Sequence, residues 1–76
     1  MELLLSDLRT KEIIRIESGE RIGYANDIEI DKESGKVISL IVPGAYKAFG
    51  LFGKEDDTLI PWEKITKIGE DFIIVS

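Results

Sequence analysis

The sequence predicts a small all-β domain whose strands form a barrel or a sandwich. Ile and Val supply sixteen of the 76 residues and Ala only three. β-Branched side chains favour pleated sheets, and a shortage of Ala disfavours long helices. Turn-forming stretches recur along the chain at "ESGE" (17–20), "KESGK" (32–36), the long segment 43–57 and "GED" (69–71). Short strands separated in this way are typical of small barrels and sandwiches, and a chain of this length forms one domain, residues 1–76.

The N-terminal half predicts one helical turn and two strands. Ser6 or Asp7 is a candidate cap for a helical turn. The first strand is "KEIIRI" (11–16), and the second is the long stretch "RIGYANDIEI" (21–30). Four apolar residues of that second strand share one parity, namely Ile22, Tyr24, Ile28 and Ile30. Because polar Asn26 falls on the same parity, we predict a bulge or bend at residues 25–27 that lets the strand curl.

The C-terminal half predicts four further strands. Gly35 takes a positive φ in the turn before "KVISLIVPG" (36–44). Next come "DTLIPW" (57–62), "EKITKIG" (63–69), begun by a helical turn at residues 61–64, and "DFIIVS" (71–76). The third strand alternates between two apolar faces, Ile38, Leu40 and Val42 on one and Val37 and Ile41 on the other. The run Phe72–Val75 is also apolar on both faces, and strands of this kind are covered on both sides.

Composition argues against several classes of function. The chain has no Cys and no His, so it has no disulfide or thiolate site and lacks the commonest metal ligand and neutral-pH base. Its net charge is −5, with acids and bases interleaved, so we do not expect it to bind nucleic acid. No apolar run approaches the roughly 20 residues of a membrane span, and no signal peptide is evident. We expect a soluble, cytoplasmic protein with no catalytic residues, cofactor or metal.

Two groups of acids could hold a divalent cation, which prefers carboxylate oxygens. One is Glu55-Asp56-Asp57, and the other is the alternating set Asp27, Glu29, Asp31 and Glu33. The first group lacks the glycine-spaced pattern of alternating acids that a calcium loop has. The favoured interpretation is a solvated loop edge for the first group and the wet side of a sheet for the second.

The segment "GAYKAFGLFGKEDD" (44–57) combines glycines with large apolar side chains. Either it folds back to complete the core, or it packs on another subunit, because contiguous exposed apolar patches usually mark interaction sites. The sequence leaves both interpretations open. The candidate residues for a partner or dimer interface are Tyr46, Phe49, Leu51, Phe52, Val37 and Ile41. The one tryptophan, Trp62, suits an interface or a core, and the core is favoured.

Three stretches in this order resemble the PRC-barrel family, and within it the short, sporulation-associated YlmC/YmxH type. They are "LSDLRTKEII" (5–14), "GERIGYANDIEIDKESGKVISLIVPG" (19–44) and "LIPWEKITKIGEDFIIV" (59–75). The short segment 15–18 separates the first two, and the aromatic- and glycine-containing segment 45–58 separates the last two. The resemblance implies a six-stranded, partly open barrel without a catalytic site. It also implies that the pattern's structural positions are Gly19, Gly23, Gly35, Pro43, Pro61, Trp62 and Gly69.

Members of that family serve as adaptor or assembly modules that bind proteins, and copies that stand alone often self-associate. We therefore expect a non-enzymatic interaction module, a homodimer, with an assembly or sporulation-linked role. The alternative is an RNA- or ribosome-associated maturation factor, by analogy with relatives that carry a second domain, although we expect only one domain in this chain.

Overall fold

A computed structural model describes residues 2–44 and 57–76 as two β-sheets around a shared core. The chain begins with one helical turn, α1 (Leu5–Leu8). Seven strands follow, with a short 3-10 helix (Trp62–Lys64) between the fifth and sixth. The strands are β1 (Glu12–Arg15), β2 (Arg21–Tyr24), β3 (Asp27–Ile30), β4 (Val37–Val42), β5 (Thr58–Pro61), β6 (Ile65–Ile68) and β7 (Phe72–Val75).

The strands form two sheets that do not close into one. Sheet A has the order β2-β1-β7-β6, and sheet B has the order β3-β4-β5. β1 and β7 run parallel, and every other pair is antiparallel. β5 and β6 follow each other in sequence yet lie in different sheets, so the architecture is a partly open barrel. The predicted all-β barrel fold is confirmed.

The predicted bend at residues 25–27 divides the long second strand into β2 and β3. Ala25 is buried at the bend, and the backbone N–H of Asn26 donates to the carbonyl of Ile41 at 3.0 Å. One continuous stretch of chain thereby contributes a strand to each sheet, so the described residues form seven strands where the sequence predicts six. Gly35 has φ +76°, as the turn before β4 requires.

The core is aliphatic and draws on both sheets. Ile13 and Ile73 of sheet A and Leu40 of sheet B have no exposed surface. The buried hydrophobic residues are Leu8, Ile13, Ala25, Leu40, Val42, Ile60, Ile73 and Val75. Full burial of one large aliphatic side chain is worth roughly 1.5–3 kcal/mol, so these few residues supply a large part of the stability of so short a chain.

A bulge in β4 overturns the predicted alternation of that strand. Ile30 lies opposite Val37, and Ile38 is left as an extra residue without a partner in the register. A one-residue bulge reverses the faces of the residues beyond it. Val37 therefore lies on the face of Leu40, whereas Ile41 lies on the opposite face, and Ile38 is exposed instead of buried.

The N-terminal helical turn forms where predicted, but neither Ser6 nor Asp7 is its cap residue. The helix begins at Leu5, with Leu4 in the cap position. Asp7 lies within the turn, and its Oδ2 accepts a hydrogen bond from the backbone N–H of Leu4 at 3.0 Å. The carboxylate thus satisfies a donor that a helix N-terminus leaves open, acting from inside the first turn.

Candidate functional site

The side of sheet A that faces away from the core carries two exposed aromatic rings and three isoleucines together with charged residues. Ile13 of β1 lies opposite Ile73 of β7, and both are buried, so their neighbours in each strand point to the other side. We call that side the outer face. Its members are Arg21 and Tyr24 of β2, Glu12 and Ile14 of β1, Phe72 and Ile74 of β7, and Lys67 of β6, with Ile16 extending it just beyond β1.

The outer face has two rows that cross the strands. The first row runs Tyr24, Glu12, Phe72, and the second runs Arg21, Ile14, Ile74, Lys67. Direct cross-strand neighbours on one face lie within contact distance of each other, so the two rows form one surface.

Both aromatic rings of the outer face are open to solvent. Tyr24 is 52% exposed and Phe72 is 45% exposed. Side chains of this kind bury about 150–250 Å² each, so the two rings leave roughly 200 Å² uncovered. Ile14 and Ile74 are half-buried, and Ile16 is exposed beside them. Monomeric proteins rarely expose apolar patches beyond a few hundred Å², and such patches often mark a binding surface.

The acid in the first row is paired within the outer face. Glu12 lies between the two aromatic residues, and its side chain is only 13% exposed. Arg21 donates to both of its carboxylate oxygens, from Nη2 at 2.7 Å and from Nε at 3.0 Å. The hydrogen bond and the negative charge of Glu12 raise the pKa of Arg21 above the ordinary arginine value. The pair therefore carries no net charge, and the face accepts an apolar partner more readily than one with a lone carboxylate.

The sequence indicates only half of this face. The apolar run Phe72–Val75 predicts a strand covered on both sides, and Phe72 and Ile74 are its outward residues. Tyr24 is predicted to share a face with Ile22, but β2 has a bulge against β1 that places Gly23 opposite Ile13 and Arg21 opposite Ile14. Ile22 packs against the core while Tyr24 is exposed, so that prediction is wrong.

The structure separates the two interface candidates that it describes. Ile41 is half-buried on the outward side of sheet B, in a row between Asp27 and Leu59. Val37 lies on the other side of that sheet, opposite Ile30 near the β3–β4 turn. The remaining candidates, Tyr46, Phe49, Leu51 and Phe52, lie outside the described residues and stay predictions.

The alternating acids of β3 and the following turn are exposed and serve local hydrogen bonds. Asp27 and Asp31 accept backbone N–H bonds at 2.8 and 2.9 Å, and Glu29 accepts from the hydroxyl of Ser39 at 3.0 Å. Within residues 2–44 and 57–76, no three acids come together in a group that could hold a metal ion. Of the second acidic group, Asp57 accepts a hydrogen bond from the backbone of Gly44 at 3.2 Å, and the other two acids lie outside the described residues.

Trp62 is not a core residue, contrary to the favoured interpretation. It begins the 3-10 helix between β5 and β6 and remains 36% exposed. With the residues of β6 it lines an open groove of about 340 Å³. The 3-10 helix connects β5 of sheet B to β6 of sheet A, so Trp62 lies where the chain passes from one sheet to the other.

The described part of the chain contains no helix with the length and apolar character needed to cross a bilayer.

Comparison with known proteins finds matches along nearly the whole chain. The family model of the PRC-barrel domain matches residues 1–76. The probable sporulation protein YlmC of Bacillus subtilis is 39% identical over 71 residues, which cover 93% of this chain and 88% of that protein. An uncharacterized protein of Clostridium acetobutylicum is 42% identical over 72 residues (95% and 82%). The uncharacterized protein YmxH of B. subtilis is 41% identical over 73 residues (93% and 85%).

Proposed function

This chain belongs to the PRC-barrel family, and on that premise we propose that it is a non-enzymatic protein-interaction module that pairs with a second copy of itself through the outer face of sheet A. The observation that carries the proposal is the exposed apolar surface around Tyr24 and Phe72, with its one acid paired to Arg21. The printed name of YlmC connects that relative with sporulation, and we propose an assembly role in the same process for this chain.

The area of the outer face predicts a weak, reversible dimer. Stable protein interfaces bury about 800 Å² on each partner, and interfaces well below that size belong to transient contacts. Two half-exposed rings and three isoleucines give an apolar centre smaller than this. A polar rim adds area but little affinity, because rim charges remain partly hydrated.

The charges around the outer face suit contact between two identical surfaces. Arg21 is already paired with Glu12, so the positive charge of the patch is Lys67 at one end of the second row, and the negative charges are Glu70 and Asp71 in the turn that enters β7. A two-fold dimer presents the same patch from both partners, so a patch that carries both signs can place opposite charges across the interface.

Sedimentation over a wide range of protein concentration tests the proposal directly. We expect the wild-type mass to rise from monomer toward dimer as the concentration increases. Phe72→Glu should remain monomeric, because the new carboxylate would be buried in the apolar centre without a partner. Leu59→Glu is the matched control, since Leu59 is exposed at a comparable level on the outward side of sheet B. Both variants should keep the far-ultraviolet circular dichroism of the wild type.

The outcomes separate the competing interfaces. A strictly monomeric wild type would refute self-association. If the dimer persists in Phe72→Glu but is lost in Phe49→Asp, the interface would lie in segment 44–57, which contains the other interface candidates predicted from the sequence. RNA binding that falls steeply with salt would instead favour the maturation-factor alternative.

A further inference from the structure

A buried lysine lies directly before β1, on the side of the chain opposite to the outer face. Lys11 is only 9% exposed and shares the inward parity of Ile13. Its Nζ donates to the backbone carbonyl of Glu70 at 2.6 Å, in the turn between β6 and β7. An ammonium group has three N–H donors, so this bond occupies one of them.

Lys11 has no carboxylate partner within the described ranges. The ion pairs there are Arg15 with Glu20 and Arg21 with Glu12, and the lysine belongs to neither. Burial of a charge is unfavourable unless an opposite charge or several hydrogen bonds compensate it. The carbonyl of Glu70 compensates only part of the cost of burying the ammonium charge, so a bound anion would stabilise this charge further.

Lys11 lines a small cleft beside the turn between β6 and β7. The cleft has a volume of about 300 Å³ and is lined by Glu2, Leu3, Lys11, Ile68, Gly69 and Glu70. Leu3 and Ile68 provide apolar walls, and Ile68 packs against the core from the other side. Ligand pockets in proteins span about 300–1,000 Å³, so this cleft suits a small molecule or the end of a chain.

We propose that this cleft binds a small monocarboxylate with a short apolar chain, its carboxylate on Nζ of Lys11 and its chain against Leu3 and Ile68. A carboxylate supplies the missing charge and accepts the remaining ammonium donors. Glu2 and Glu70 line the same cleft and repel a second negative charge, which disfavours phosphates and dicarboxylates. The site differs from the outer face, because Lys11 and Glu12 point to opposite sides of the chain, and the two surfaces meet only at the turn that carries Glu70.

Titration of the 15N-labelled protein with hexanoate tests the site without any mutation. We expect saturable shifts at the backbone amides of Leu3, Lys11 and Ile68. Hexanol and hexylamine have the same chain without the negative charge and should bind at least about tenfold more weakly, because they lose a charge-assisted hydrogen bond. Hexylphosphonate, with a larger negative charge, should also bind more weakly than hexanoate. Equal binding of hexanol and hexanoate, or no binding of hexanoate, would overturn the proposal.

Two lysine variants test whether the charge of Lys11 is responsible for the binding of hexanoate. Lys11→Met keeps most of the apolar stem and should lose about tenfold or more in hexanoate affinity. Lys32→Met removes an exposed cation from the turn between β3 and β4, which does not line the cleft, and should leave the affinity unchanged. Glu2→Gln should strengthen binding, because one repelling carboxylate leaves the cleft. Undiminished affinity in Lys11→Met would exclude the site, and if that variant does not fold, the comparison of hexanol with hexanoate on the wild type decides.

Discussion

Gly23 allows the two sheets to approach each other, and its replacement by alanine is expected to be costly. The residue has φ +129°, a conformation that L-amino acids rarely adopt. A Cβ atom at this position would lie 3.3 Å from Cγ1 of Val42, which is tighter than ordinary packing. Val42 is buried in sheet B, so it has little room to move away.

The magnitude follows from these two contributions. Backbone strain of this kind costs about 1–3 kcal/mol, and overpacking of a core contact adds on the order of 1 kcal/mol or more. We therefore expect Gly23→Ala to lower the free energy of unfolding by about 2–4 kcal/mol. Domains of this length have total stabilities of roughly 5–10 kcal/mol, so the loss is a large fraction of the whole.

Urea unfolding, followed by circular dichroism and by Trp62 fluorescence, measures this loss. The control is Gly35→Ala, whose φ of +76° is also left-handed but whose added methyl group would meet nothing within 4 Å. Its cost should be about 1–2 kcal/mol, from strain alone. The double variant Gly23→Ala with Val42→Ala should show favourable coupling, since removal of the valine methyl groups relieves the contact. A cost for Gly23→Ala no greater than that of Gly35→Ala would refute the reasoning.

Two further predictions concern the core and the outer face. Ile73→Ala should lower the free energy of unfolding by about 2–5 kcal/mol, because a fully buried side chain is removed. Ile30→Ala, at an exposed position, should change it by about 0.5 kcal/mol or less. Similar urea midpoints for the two variants would contradict the assigned core. Because Glu12 raises the pKa of Arg21, the contribution of Arg21 to stability is present at neutral pH and is lost as the pH rises through the raised arginine value. The difference in urea midpoint between wild type and Arg21→Met should therefore stay constant from neutral to mildly alkaline pH, and a difference that disappears in that range would show that Arg21 acts in some other way.

The strand positions could be read from the sequence because their signals are local. β-Branched runs bounded by Gly, Pro and Asp turns predict each strand of the described chain to within two residues, and polar Asn26 within an apolar parity predicts the bend between β2 and β3. The helical turn predicted at residues 61–64 is present as the 3-10 helix Trp62–Lys64, and it follows from similar local information. These features depend on a few neighbouring residues, so no knowledge of the other sheet is needed.

The composition of the exposed faces could not be read in the same way. Alternation assigns Ile22 and Tyr24 to one face, and Val37 and Ile41 to another, on the assumption of an unbroken register. A bulge in β2 and another in β4 each insert one residue and reverse the faces beyond it. Bulges depend on the partner strand as well as on the strand itself, so the outer face becomes visible only when β1, β2 and β7 are placed together.

The parallel pairing of β1 with β7 couples the outer face to the order of folding. The β3–β4 hairpin joins residues that are close in sequence. β1, in contrast, pairs with β7, which comes from the opposite end of the described chain. Contacts so distant in sequence form slowly, because the intervening chain loses entropy before the contact is made. Tyr24 and Phe72 flank Glu12 only after that closure. A partner that binds the outer face would therefore bind chains in which β1 has paired with β7, and would not bind chains in which only the hairpins have formed.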